Sequence, residues 1–223
     1  MTFSELQKLV KEGEGERLEF KLKANHPDKI VKSIGAFANT KGGVLLVGVE
    51  DNRQIKGCKD ALEEQYVLEA AIHRYLSPLP VYHLQTVVVQ DDKEVVCIDV
   101  QMADSKPVYW KDPDQTQTEA PKGKVYIRVA DQTIQASYAM RQVLKGKSKG
   151  VGKKLQYGEK EKKLMEYLSE HQSITIADYA VHAGITMKQA CTTLVFMCVM
   201  GVLDILPGGE SEDRFVQAQI PIV

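Results

Sequence analysis

Between Gly13 and Lys21 the chain reads GEGERLEFK, setting Glu14, Glu16 and Glu19 beside Arg17 and Lys21 within nine residues. Carboxylates at this density suit two kinds of chemistry: their oxygens take a hard cation such as Mg²⁺ or Mn²⁺, or they pair with neighbouring ammonium and guanidinium groups. Spacing bears on the choice. Glu14 and Glu19 are five positions apart, so on one continuous strand they face opposite sides, and a shared point requires the chain to bend near Gly15. Glu19 and Lys21 lie on one face and can pair with charges on the next element. Asp51 stands in EDN, where an aspartate commonly serves a turn.

The cations offer a second chemistry. Net charge is -1, so nucleic-acid binding must depend on local patches rather than on bulk charge. Lys21, Lys23, Lys29 and Lys32 come from one predicted strand and the helix after it, and Arg128 is expected to join them from a neighbouring strand. Such a surface meets phosphates without reading bases, giving salt-sensitive and weakly sequence-selective binding. A solvated charged face is the alternative. Lys153 and Lys154 belong to a basic run, RQVLKGKSKGVGKKLQYGEKEKK, that is either a further patch or a solvated linker.

Other chemistries find little support. None of the five histidines sits at metal-ligand spacing with another, and the four cysteines form no C-x-x-C pair, which fits a reducing cytoplasm. No stretch satisfies G-x-x-x-x-G-K-[ST], so ATP is not expected as a cofactor. No apolar run approaches the roughly 18 to 20 residues of a bilayer span, and the start is polar and acidic where a secretory signal is basic and then apolar.

The elements that would position these groups follow from periodicity. FSELQKLVKE predicts a short amphipathic helix; RLEFKLK alternates as a half-buried strand with Leu18, Phe20 and Leu22 on one side. HPDKIVKSIGAFANT predicts a helix with Phe37 in the core and Asn39 capping its end. After KGG, where Gly42 and Gly43 can take positive φ, VLLVGVED predicts a central strand covered on both faces. A helix over residues 60–76, a strand pair joined through DDK, strands in KPVYW and KVYIRVAD, and a closing helix over 137–145 complete the first domain. The Gly- and Lys-rich stretch after it marks a boundary near 150.

With GEGERLEFK, AFANTKGGVLLVGVED and KVYIRVADQT in this order, the first ~145 residues resemble the Schlafen AlbA-type domain, also called the divergent AAA domain, found in bacterial regulators. The resemblance implies an α/β domain that binds nucleic acid. It also implies a carboxylate trio, because in the RNA-cutting members two glutamates of the first motif and the aspartate after the G-V strand form one; the matching positions are Glu14, Glu19 and Asp51. There a metal would polarise a phosphodiester and activate water, with Lys21 available for developing charge.

Residues 155–220 resemble a winged helix-turn-helix by pattern: three helical segments, the turn HAGIT, and a hairpin with PGG at its tip. The expected recognition helix, Thr186 to Met200, offers Lys188 and Gln189 to base edges but no arginine to hold guanine, and the acidic wing GGESEDR leaves only Arg214 to meet phosphate.

The expectation is therefore an α+β protein with mixed α/β character: an AlbA-type domain over 1–148 and a winged-helix domain over 149–223. Its expected function is DNA-binding transcription regulation as a cytoplasmic homodimer, with DNA ahead of RNA. Two alternatives stand beside it: a nuclease using Mg²⁺ or Mn²⁺ on Glu14, Glu19 and Asp51, and a module for protein interaction or dimerisation.

Overall fold

The computed structural model describes residues 1–90, 92–112, 123–149 and 157–219. The chain is α+β and divides into two compact units, Met1–Gln135 and Ala136–Val223.

The first unit is organised by a four-stranded sheet of order β1-β2-β5-β4, comprising β1 (Leu18–Lys21), β2 (Gly43–Val47), β4 (Tyr82–Gln90) and β5 (Lys93–Val100). β1 and β2 run parallel, with Leu18 opposite Val44 and Lys21 opposite Val47. A parallel pair needs a crossover, which α2 (Pro27–Asn39) supplies. Strands β2, β5 and β4 pair antiparallel, and the short β4–β5 connection matches the predicted hairpin.

Alternation along β2 feeds two cores. Leu45 and Val47 pack with Ile34 and Phe37 of α2 and with Leu68 and Ile72 of α3 (Ala61–Tyr75). Leu46 turns to the opposite face, where Leu6 and Val10 of α1 (Phe3–Glu12) cover Leu18 and Phe20. The strand is covered on both faces, as its unbroken apolar run requires. Gly42 does take positive φ, at 71°, but Gly43 is needed for a different reason: a Cβ there would lie 2.5 Å from the Phe37 ring.

Beyond the sheet lie two two-stranded pieces, β3 (Leu76–Ser77) with β6 (Tyr109–Trp110), and β7 (Tyr126–Val129) with β8 (Gln132–Gln135). Helix α2 packs against β7 and β8 as well as against the sheet. Its last residue corrects the capping expectation. Asn39 is 1% exposed, and its side chain accepts from Val108 N at 2.7 Å while its amide donates to the carbonyls of Val108 and Tyr126, both at 2.9 Å. The cap falls to Thr40, whose N–H and hydroxyl both donate to Ala36 O. The asparagine thus ties the helix to β7 and to the residue just before β6.

The second unit contains α4 (Tyr138–Lys149), α5 (Glu159–Glu170), α6 (Ile176–Ala183) and α7 (Met187–Val199), followed by the antiparallel pair β9 (Leu203–Leu206) and β10 (Arg214–Gln217). Ile174, between α5 and α6, exchanges both backbone bonds with Phe215 of β10, at 2.9 and 2.8 Å. The helix expected to close the first domain packs in this unit instead. Ala139 and Val143 of α4 share a core with Leu194 and Met197, so the division falls at Gln135/Ala136 rather than at 148/149. The start of the expected linker is also helical, and Gly146 lies inside α4 where Val199 leaves no room for a Cβ. Lys153 and Lys154 lie outside the described residues.

Two outcomes follow. Asn39→Ala removes three hydrogen bonds, two of them fully buried, and is expected to destabilise the protein by about 3 kcal/mol, read as a lower urea midpoint with unchanged slope. The thiols of Cys58 and Cys97 are pushed up to about 11, and that of Cys198 up to about 12, first of all by burial. At pH 8 a pKa of 11 leaves about one thiolate in a thousand, so a thiol-exchange reagent should modify these three only after unfolding, with the less buried Cys191 reacting first.

Candidate functional site

The charged stretch at the start of the sheet is built around a bend and an edge strand. Gly15 and Leu18 exchange backbone bonds at 3.0 and 3.5 Å, and this turn swings Glu14 back along β1. Its carboxylate accepts from the backbone N–H of Phe20 at 2.8 Å. β1 is an edge strand, so this glutamate satisfies a donor that no neighbouring strand does.

Alternation then decides the fate of Glu19. Leu18 and Phe20 point to the α1 side, which sends Glu19 to the face covered by α2 and β7. There it is 8% exposed, not solvated as the polar face of a half-buried strand would be. A carboxylate in that position must be paired, because an isolated ion would forfeit its hydration without compensation. Arg128 of β7, itself 3% exposed, donates from Nη1 to Glu19 Oε2. The other carboxylate oxygen accepts from Lys21 Nζ at 2.6 Å.

Arg128 is held from several sides. Nη1 also donates to Thr133 Oγ1 at 3.0 Å, Nη2 donates to Gly15 O at 2.6 Å, and the guanidinium lies 5.0 Å from the centroid of the Phe37 ring. Among the described residues its Nε finds no hydrogen-bond partner. The expectation that Arg128 joins an exposed cationic surface is corrected here. Lys21 is similarly occupied, since it also donates to Phe20 O at 2.8 Å.

The trio implied by resemblance is distributed over three different environments. Glu14 binds an edge amide, Glu19 lies between two cations, and Asp51 sits exposed in the turn that links Val49 to Ile55. Among the described residues no three His, Cys, Asp or Glu side chains form a group able to hold a metal. The bend at Gly15 that convergence would need is present, but it delivers Glu14 to the backbone.

The other cations expected in this patch behave differently. Lys23 and Lys29 are exposed, and Lys32 lies over two aromatic rings, 5.0 Å from the centroid of Trp110 and 5.5 Å from that of Tyr126. Lys124, which the sequence reading passed over, lies 6.0 Å from the Trp110 centroid. Trp110 and Lys124 exchange both backbone bonds, at 2.7 and 2.8 Å, a long-range pairing that no local pattern announces.

In the second unit Lys188 is exposed, while Gln189 has a structural task. Thr186 and Gln189 form a capping box at the start of α7, with Gln189 Oε1 accepting from Thr186 N at 3.0 Å. Arg214 donates to Ser173 Oγ at 3.2 Å. Asp213, at the end of the hairpin loop, accepts from Gly208 N at 3.1 Å and from the Ser137 hydroxyl.

A family model described as Schlafen, AlbA_2 matches residues 14–137, from the glutamate at the bend to just past β8. Among solved structures the chain is similar to the N-terminal domain of a RecG-related protein from Nitrosomonas europaea, at 26% identity and a TM-score of 0.42, over 55% of this chain and 87% of that one. It is also similar to the DIP2311 protein from Corynebacterium diphtheriae, at 17% identity and a TM-score of 0.45, over 96% of this chain and 42% of that one.

If Glu19 is an ion-pair partner, removing it leaves Arg128 buried and uncompensated. Glu19→Ala is expected to cost about 3 to 5 kcal/mol in urea unfolding, and Glu14→Gln less than half of that. Replacing both partners, as in Glu19→Leu with Arg128→Met, should recover much of the loss. Equal stability for the wild type and Glu19→Ala would show that the pair holds nothing together.

Proposed function

The chain belongs to the Schlafen AlbA_2 family, and on that premise we propose that it is a nucleic-acid-binding protein whose first unit grips a phosphate backbone and whose second unit is a winged helix-turn-helix acting in transcription regulation. One observation carries the reading: the cations expected to form one patch, together with Lys124, divide into two sets. Arg128 and Lys21 are consumed by Glu19, whereas no carboxylate among the described residues pairs with Lys23, Lys29, Lys32 or Lys124. Lys29 and Lys32 are three apart on α2 and therefore neighbours on its surface. Unpaired ammonium groups on adjacent elements attract a polyanion without regard to base sequence.

Support for the winged-helix reading comes from the order of the second unit. α6 ends on Gly184 in the left-handed conformation, φ 68°, and α7 starts two residues later at its Thr186 cap. The β9–β10 hairpin gains a third short segment through the Ile174–Phe215 bridge. Its share of the binding is small on electrostatic grounds. The exposed charges of α7 and the hairpin loop are Lys188, Glu210 and Glu212, and the two acids oppose phosphate. Cleavage through Glu14, Glu19 and Asp51 draws no support from an arrangement in which Glu19 is already ion-paired twice.

Salt dependence tests the proposal. Four lysine–phosphate contacts on duplex DNA give a slope of about -3.6 in log K against log salt, so affinity should fall roughly 100-fold between 50 and 200 mM. Changing Lys29 and Lys32 to glutamine should flatten the slope by about 2, and Lys188→Gln should change it less. Affinity that does not move with salt, or no binding at all, overturns the reading.

A further inference from the structure

Building on the nucleic-acid reading of the first unit, we propose that its ligand is single-stranded and that the contact is made on Trp110 and the rings beside it. The indole stacks on Tyr75, with centroids 5.8 Å apart and planes 3° apart, and meets Tyr126 edge-on at 6.4 Å. Its Nε1 donates to the backbone carbonyl of Asp28 at 3.2 Å, which anchors the ring to the first turn of α2. All three rings are half-buried rather than sealed in the core. Over them lie the ammonium groups of Lys32 and Lys124, neither of which has a carboxylate partner among the described residues.

Aromatic faces and unpaired cations in one place are the two halves of a nucleotide site, one for the base and one for the phosphate. Relative strength sets the order of events. A cation over an exposed ring is held roughly half as strongly as a base stacked on it, or less. An incoming base therefore displaces ammonium from ring, and the released lysine, still rooted beside the site, turns to the phosphate of the same strand. A duplex keeps its bases paired and stacked inside, so it meets the lysines alone. The rings have no part to play in gripping it.

Trp110 is the single tryptophan of the chain, so emission excited at the red edge, where tyrosine does not absorb, reads this place and no other. The full chain is titrated with oligothymidylate of about 15 nucleotides and with a duplex of equal length, while anisotropy of labelled copies reports binding separately. The single strand should quench Trp110 and the duplex should leave it unchanged. Lys32→Gln with Lys124→Gln, which leaves the rings in place, should weaken the single strand roughly five- to ten-fold. If the single strand binds by anisotropy while Trp110 emission and the lysine variant stay at their original values, this site is wrong and nucleic-acid binding through other cations stands. If the duplex quenches as strongly as the single strand, the preference for one strand is wrong. If neither binds, both the site and the functional reading on which it rests are overturned.

Discussion

A guanidinium with no access to water sits at the meeting point of the first unit, and the placement of several segments depends on how it is satisfied. Arg128 reaches Glu19 on β1, the carbonyl of Gly15 in the turn before it, Thr133 on β8 and the ring of Phe37 on α2. Desolvating both ions costs several kcal/mol each, and that loss is offset only when geometry and extra hydrogen bonds are good. The pair is therefore better understood as a device for placing the β7–β8 hairpin on α2 than as a net source of stability. Ser33 and Thr133, 3.0 Å apart, extend the same junction with an uncharged bond.

This constraint separates the charges of the unit by task. Acids near the first strand are taken up in folding: Glu14 by an edge amide, Glu16 by Lys41 at 2.9 Å, and Glu19 by Arg128 and Lys21. The carboxylates are spent there, and no carboxylate among the described residues pairs with the lysines further along α2, in a chain whose net charge is only -1. Net charge describes the sum; the partner of a polyanion is decided by where the uncompensated part of it lies.

Much of this was legible in the sequence, and what was missed shares one cause. Local periodicity identifies α1, α2, β2, α3 and the β4–β5 hairpin because each repeats its apolar residues at a spacing its own backbone sets. The same alternation assigns Leu18 and Phe20 correctly to a core. It cannot say that the opposite face is covered too, because the covering strand, β7, arrives more than a hundred residues later. Reading Arg128 as a surface cation and Asn39 as a helix cap fails for that reason: both are polar residues whose partners are distant in sequence. The helix α4 was placed by pattern, but its affiliation with Leu194 and Met197 is a tertiary fact. Lys124 escaped notice because only backbone pairing across a long connection sets it beside Trp110.

Gln189 shows the same principle at work in a smaller space. As a side chain at the exposed start of α7 it looks available to a base, yet its oxygen accepts from both the N–H and the hydroxyl of Thr186, at 3.0 and 2.9 Å. Freeing that oxygen for a ligand would cost the helix its capping box, typically about 1 kcal/mol, before any contact is gained. Lys188 bears no such obligation but is a single cation, and a single phosphate contact changes affinity little at ordinary ionic strength. On the proposed reading, any sequence selectivity carried by α7 is superimposed on affinity supplied elsewhere, and the lysines of the first unit that have no carboxylate partner among the described residues are groups whose chemistry can supply it.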